Sequence, residues 1–581
     1  MVQVPVVELV DPLPLVFSDD GYMSAADWVY FSLWLLVDLL NALMSVNICR
    51  SAYKRHRAAV QRHKWKDALA YEAVSVVVPC FLPNEKAIIH STIDHICDNV
   101  AYPGDVTLHV VYNTPAPLPA EEARLAALDG TTHGKLGRTV RIHHVDGSRS
   151  KAENLNHVIG AVLDPAEAKY VAIFDADHHP DADCLTTLMV FLLQHEVDCV
   201  QGSTYIRNRT LAAHAGRGGG CGALGQVLAW LLANIIDAEF FVTYFIWMPA
   251  IELIGQTGFF GGSVALWRYH SLVNFTFSTV VQTEDIECSA RAVLSRQKIR
   301  FCPEARSGEL SPANLRAFWR QRQRWAMGWD QVSILYFDAI ARSNLSFREK
   351  AGLYYVFPGR WMACSIGLIA GIVHPIVALV YAGYPWGPWL NAELLIGGAF
   401  YSVSTCVMLS QLVIHQAWRS WAFVLLFYFT GPVYLCFQAS LVLYSLFSII
   451  AKRDNGWVVT QRALPSGTAA GAETPARAAP ALSGPGLSSL SPFRKPSAAD
   501  AAGEPTLGFT LTRYYTVDRP DSVSGELDGA DAPAAGDGRR GGAAATGAGV
   551  DVEAAPAMLL NGEARARAPL LSNGASYHRM L

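Results

Sequence analysis

Residues 28–48 read WVYFSLWLLVDLLNALMSVNI, an apolar run interrupted by Asp38 and Asn41. About 20 apolar residues are what a helix needs to cross the hydrocarbon of a bilayer. A transmembrane helix is therefore expected at 28–49, after an N-terminal segment 1–27. The run lacks a basic leader and a small-residue cleavage site, so it does not read as a removable signal peptide. Directly behind it comes RSAYKRHRAAVQRHKWK (50–66), with seven Lys/Arg and no acid. Such clusters stay on the cytoplasmic side, so 50–72 is expected as a basic juxtamembrane linker and the chain beyond it as cytosolic. The composition agrees: only 17% of the 581 residues are charged, against about 25% in an average soluble domain, and the mean hydropathy is +0.21.

The 46 basic and 50 acidic residues leave a net charge of −4, which provides no field for nucleic acid, so no nucleic-acid partner is expected. The 11 cysteines form no CxxC pair and no Cys/His ligand spacing. They read as packing residues in a reducing compartment.

From residue 73 the pattern changes to short β-rich runs: VSVVVP (74–79), VTLHVVY (106–112), TVRIHHV (139–145), YVAIFDAD (170–177) and VDCVQGSTY (197–205). Continuous apolar runs between turns are what a helix-covered parallel sheet requires, and an α/β catalytic domain is expected over 73–345. Within it, 224–254 is apolar but carries Asp237, Glu239 and Glu252, which are costly in lipid. Interfacial or domain-packed helices are therefore expected there. Apolar segments 358–382, 393–415 and 421–449 make 346–450 a multi-span region, and Gly431-Pro432 permits a break in the last of them. Residues 463–581, with no Trp and only five Phe/Tyr, are expected to be a disordered tail.

Three fragments carry chemistry. Asp175-Ala176-Asp177 follows the run YVAIF, at the sheet edge where open α/β sheets bind ligands. Its paired carboxylates suit Mg²⁺ or Mn²⁺ bridging a nucleotide diphosphate, although strand-end Asp pairs also merely cap loops. Thr283-Glu284-Asp285 opens a helical stretch. It reads either as an N-terminal cap or as a site in which Asp285 is a general base. QRQRW (321–325) lies on an amphipathic, Trp- and Arg-rich stretch. A membrane-surface helix would look similar, yet Arg324 could neutralise a diphosphate and Trp325 could offer a flat apolar platform.

Taken in order, VSVVVPCFLPNE (74–85), SKAENLN (150–156), DAD, FFGGSVALWR (259–268), QTED (282–285) and QRQRW resemble the processive, membrane-integrated family 2 glycosyltransferases of the cellulose synthase-like group. The resemblance covers about residues 28 to 462 and includes KRDNGWVVTQR (452–462), similar to the family's W-x-x-T gating loop. It implies an α/β glycosyltransferase-A-type cytosolic domain with a multi-span α-helical membrane region. The implied reaction is inverting transfer from a UDP-sugar to a growing β-glycan, elongated processively and passed through the membrane, with a cellulose-like or other β-glucan product favoured.

The roles it implies are Asp285 as base, with Glu284, Gln321, Arg324 and Trp325 completing the catalytic set. Pro79, Glu85, Asn113, Lys151 and Asp175 would contact the nucleotide sugar. Asp175 and Asp177 would hold Mg²⁺ or Mn²⁺, Gly262, Ser263 and Trp325 the acceptor, and Trp457 and Thr460 the gate in segment 451–462. One position departs from the pattern: VVYNTP places Asn113 where the family has Asp, with Asp146 in HVDGS as a substitute. The implied partners are a UDP-sugar, a glycan acceptor and the lipid bilayer, in the plasma membrane or the Golgi, with homo- or hetero-oligomers left open. Two other functions compete: a non-processive transferase acting on a lipid acceptor, and a catalytically silent membrane scaffold. The first is disfavoured by Trp457 and Thr460, the second by retention of DAD, TED and QRQRW together.

Overall fold

The computed structural model describes residues 25–66, 71–214, 223–368, 387–415 and 421–451, with positions 376 and 379. Residues 1–24, Trp457, Thr460 and the tail 463–581 lie outside the described residues.

The apolar runs become strands β1 (Val74–Phe81), β2 (Val106–Asn113), β4 (Arg138–His144), β5 (Tyr170–Ile173) and β7 (Cys199–Ile206). Joined to them are β3 (Thr132–His133), β6 (His179–Pro180), β8 (Ala265–Arg268) and β9 (Ile299–Glu309). All nine form one sheet in the order β3-β4-β2-β1-β5-β8-β7-β9-β6. The runs are unbroken because both faces are covered. Val76 and Val78 of β1 pack with Ile93, Leu188 and Met189 from the helices Ile89–Asn99 and Cys184–His195. Val77 packs on the other face with Leu155 and Ile286 from the helices Lys151–His157 and Glu284–Leu294.

Strands β4, β2, β1 and β5 are parallel, as are β7 and β9. The expectation of a parallel sheet is corrected at β8, which runs antiparallel to both of its neighbours. The reason is connectivity. After β7 the chain leaves through the helices Ala223–Val242 and Met248–Gly255 and re-enters at Gly261-Gly262-Ser263, so β8 starts where β5 ends. From β1 the chain steps outward to β2 and β4, then returns to the opposite side of β1 at β5. That reversal opens a crevice at the carboxyl edge, the usual ligand position in open α/β sheets.

The first apolar run and the basic stretch form a single helix, Ala25–Lys66. No Gly or Pro interrupts these 42 residues, so the expected linker is helical as far as Lys66. Among the described residues, four helical stretches are long and apolar enough to cross a membrane: Ser32–Ala58, Ala223–Gly255, Leu395–Ile414 and Val433–Ile450. The Ala25–Lys66 helix joins the Gly387–Ile414 helix through polar contacts, with Ser45 Oγ 2.9 Å from Ser404 Oγ and Arg55 Nη2 donating to Gln411 Oε1 at 2.6 Å. The 421–449 run breaks at Thr430 into helices Trp421–Phe429 and Gly431–Ile450, with Pro432 in the first turn of the second, where its missing N–H costs nothing.

The three acids of 224–254 are all engaged. Asp237 accepts from the Ile206 N–H at 2.9 Å and from Arg209 Nη1 at 2.7 Å. Glu252 accepts from the Phe301 N–H at 2.6 Å and pairs with Arg300. Glu239 pairs with Arg322 at 2.8 Å. These contacts seat the segment on the sheet domain.

Where Met248–Gly255 crosses the helix Phe347–Val356, a Cβ on Gly255 would lie 2.6 Å from the Gly352 Cα. Backbone atoms there cannot yield as a side chain would. Gly255→Ala is expected to destabilise the domain by about 1–3 kcal/mol, read as a lowered Tm of the detergent-solubilised protein.

Candidate active site

The carboxyl ends of β1, β2 and β5, the entry to β8 and the start of the Glu284–Leu294 helix surround a cavity of about 330 Å³, closed on another side by the helix Leu315–Arg342. It collects most of the residues singled out in the sequence: Pro79, Glu85, Asn113, Lys151, Asp175, Gly262, Ser263, Glu284, Asp285, Gln321, Arg324 and Trp325 all line it.

Lys151 begins the Lys151–His157 helix, and its Nζ reaches across the cavity floor. It donates to Asp175 Oδ1 at 2.5 Å and to the Gly262 carbonyl at 2.7 Å, and lies 3.9 Å from Glu284 Oε1. Burial alone would lower its pKa. Asp175, Glu284 and Asp285 outweigh that and hold it above the usual lysine value, so the group is an ammonium. The Asp175 N–H donates to Ser263 Oγ at 3.0 Å, which ties the end of β5 to the start of β8.

Asp285 sits in the first turn of its helix, where the helix dipole favours the anion. Its Oδ1 also accepts the Ile286 N–H at 2.9 Å. Burial prevails over both: together with the adjacent Glu284 charge it pushes the Asp285 carboxyl up to about 7, against Lys151 and Arg324. A carboxylate poised near neutrality is what a general base requires. The N-cap alternative is weakened by Thr283, whose side chain makes no cap hydrogen bond. It packs instead against Gly328, where a Cβ would collide with it.

Asp175, Asp177 and His178 offer ligand atoms within 4.8 Å of one another. Asp177 is 2% exposed and its Oδ2 accepts the Leu310 N–H at 3.4 Å. His178 is oriented by Ser307 Oγ, 3.1 Å from its Nδ1, with Glu309 Oε2 3.3 Å from its Nε2. Two carboxylates and an imidazole on one turn are a donor set that fits a divalent cation. His178 was not among the residues read from the sequence, although it directly follows DAD.

Glu85 turns one oxygen back to accept the Phe81 N–H at 2.8 Å, shaping the exit from β1. In QRQRW the buried arginine is Arg322, also unread in the sequence. Its guanidinium lies 4.3 Å from the Trp325 ring centroid and donates to Glu239 Oε2 at 2.8 Å. The signal for Glu239 was its charge inside an apolar run. The expected gate at Trp457 and Thr460 lies outside the described residues.

A family model described as "Glycosyltransferase like family 2" matches residues 72–328, and a second, "Glycosyl transferase family group 2", matches 229–451. Together the two models cover residues 72–451, and the chain belongs to the family 2 glycosyltransferases. Among its curated relatives is a glucomannan 4-beta-mannosyltransferase of Oryza sativa subsp. japonica, 25% identical over 265 residues, 45% of this chain and 46% of that protein. Another is a poly-beta-1,6-N-acetyl-D-glucosamine synthase of Staphylococcus aureus (strain COL), 25% identical over 219 residues, covering 36% and 47%. The glycosyltransferase thus spans about half the length of the curated relatives it matches. A mannosyltransferase of Pyrobaculum calidifontis, solved with GDP-Man and Mn²⁺, is 16% identical, with 71% of this chain and 100% of that chain covered and a TM-score of 0.37.

In this glycosyltransferase, Gly262 has φ +87° and a Cβ there would stand 2.6 Å from Asp285 Oδ2. Gly262→Ala is expected to displace the Asp285 carboxylate and lower the transfer rate by about 10²-fold, with Tm changed far less than rate.

Proposed function

We propose that this chain transfers a hexosyl unit, with inversion, from a UDP-sugar to a hydroxyl of a β-linked polysaccharide. The observation that carries this is the Asp285 carboxyl, raised to about 7 by desolvation and the Glu284 charge, in the cavity that Lys151 and Asp175 also line. Asp285 takes the proton of the attacking hydroxyl. Glu284 beside it keeps that carboxylate basic, and its charge in turn is balanced by Lys151 at 3.9 Å. Arg324 on the cavity wall stabilises negative charge gathering on the leaving diphosphate. Trp325, stiffened by the Arg322 guanidinium stacked at 4.3 Å, offers its ring to a sugar face, and Gly262-Ser263 lie beside it as acceptor contacts.

Asp175, Asp177 and His178 would hold the divalent cation, Mg²⁺ or Mn²⁺, and the imidazole favours Mn²⁺ over the all-oxygen preference of Mg²⁺. Bound there, the ion would supply Lewis-acid stabilisation of the departing nucleotide. The apolar helices anchor the enzyme in a bilayer, with the sheet domain on the side of the basic stretch 50–66. Repeated transfer and passage of the product through the membrane extend the same proposal, with a β-glucan as one product class. The relatives' names support a β-linked polymer while differing in sugar, mannosyl in one and N-acetylglucosaminyl in the other.

The deciding experiment incubates the purified full chain with radiolabelled UDP-glucose, UDP-N-acetylglucosamine and GDP-mannose, followed by linkage analysis. Label from either UDP-sugar incorporated into β-linked polymer supports the proposal, whereas incorporation from GDP-mannose alone, incorporation only into lipid, or no incorporation overturns it. Asp285→Asn is expected to lower kcat by about 10³-fold while leaving UDP affinity close to wild type, because an amide cannot accept the proton. For the wild type, a protonated base is inactive, so log kcat should rise with a slope near +1 up to about pH 7 and then level. A flat profile from pH 5 to 8 would exclude Asp285 as the base.

A further inference from the structure

At the end of β2, Asn113 closes a ring of three hydrogen bonds. Its Nδ2 donates to the Ser148 carbonyl at 2.9 Å, its Oδ1 accepts from Asn154 Nδ2 at 2.8 Å, and Asn154 Oδ1 accepts from Ser148 Oγ at 2.7 Å. Asn113 and Asn154 are 3% and 1% exposed, so water competes little for these groups. Only an amide can donate and accept at once in this position, since an ionised carboxyl accepts alone. The ring staples β2 to the loop before the Lys151–His157 helix and to that helix itself, whose N-cap Ser150 Oγ accepts the Glu153 N–H at 3.2 Å. Arg149, Ser150 and Lys151 line the cavity, and Ser148 does not.

We propose that Asn113 is a positioning residue for the nucleotide end of the donor. Acting through Ser148 and Asn154, it sets the wall formed by 149–151 and aims the Lys151 ammonium at Asp175. It does not act by reading the base. The asparagine is thus demanded by this ring: an aspartate would set a carboxylate oxygen against the Ser148 carbonyl. The inference rests on the donor-site proposal above.

The test measures UDP and GDP binding to the full chain by calorimetry with Mn²⁺ present, for wild type, Asn113→Asp and Ser148→Ala. Absence of any nucleotide binding by wild type would fail the donor-site proposal itself, and this inference with it. With wild-type binding established, both variants are expected to weaken UDP and GDP by the same factor, about tenfold, the scale of one buried hydrogen bond. Donor KM should rise with kcat within about twofold. Relative to wild type at each pH, Asn113→Asp should regain affinity as pH is lowered, because a protonated carboxyl again donates to the Ser148 carbonyl, whereas Ser148→Ala should not. Wild-type affinity in Ser148→Ala, or a changed UDP-to-GDP ratio in Asn113→Asp, would overturn the inference. Ser148→Ala removes only one hydroxyl and keeps the test open should Asn113→Asp fail to fold.

Discussion

The Lys151 ammonium contacts Asp175 at 2.5 Å and the Gly262 carbonyl at 2.7 Å, with Glu284 at 3.9 Å. These partners come from the end of β5, the loop entering β8 and the start of the Glu284–Leu294 helix, while Lys151 itself starts the helix behind β2. Asp175, Glu284 and Asp285 converge on this ammonium, and without it their mutual repulsion would splay the sheet edge open. The Lys151 ammonium ties them together, and its charge is kept because the carboxylates outweigh its desolvation.

That same balance separates the roles of the acids. The Asp175 carboxylate accepts from the Lys151 ammonium, while its backbone N–H donates to Ser263 Oγ, and it lies beside Asp177 and His178. Asp285 is raised to about 7 by desolvation and the Glu284 charge, which its backbone hydrogen bond and helix dipole do not offset. In the proposed function, Asp175 and Asp177 serve a cation and Asp285 a proton. The division comes from burial and neighbours, since the side chains are chemically alike.

A second buried pair links the cavity to the apolar helices. Glu239 accepts from Arg322 at 2.8 Å on one oxygen and from the Tyr434 hydroxyl at 2.6 Å on the other. Helices Ala223–Val242, Leu315–Arg342 and Gly431–Ile450 therefore meet at one carboxylate. Removing one partner of such a pair leaves the other charge buried, at a cost of about 3–5 kcal/mol. The pair sits against Trp325, so the Gly431–Ile450 helix is joined to the cavity wall through the Glu239 carboxylate.

The apolar runs of β1, β2, β4, β5 and β7 were legible in the sequence because a strand covered on both faces must be apolar throughout. The DAD, TED and QRQRW fragments were legible because their residue types are uncommon at that spacing. The break at Gly431-Pro432 was legible because proline cannot continue a helix. The short strands β3 and β6 carry too few residues to show a pattern, and the reversed direction of β8 depends on where the preceding helices return the chain. Whether Thr283 caps a helix, which arginine of QRQRW is buried, and that Asn113 shares its amide with Ser148 and Asn154 were likewise decided by tertiary structure. Each depends on groups 35 to 83 positions apart in the chain or, for Thr283, on Gly328 closing over it. Local sequence sets periodicity and chemistry, but desolvation and charge pairing belong to residues that only the folded chain brings into contact.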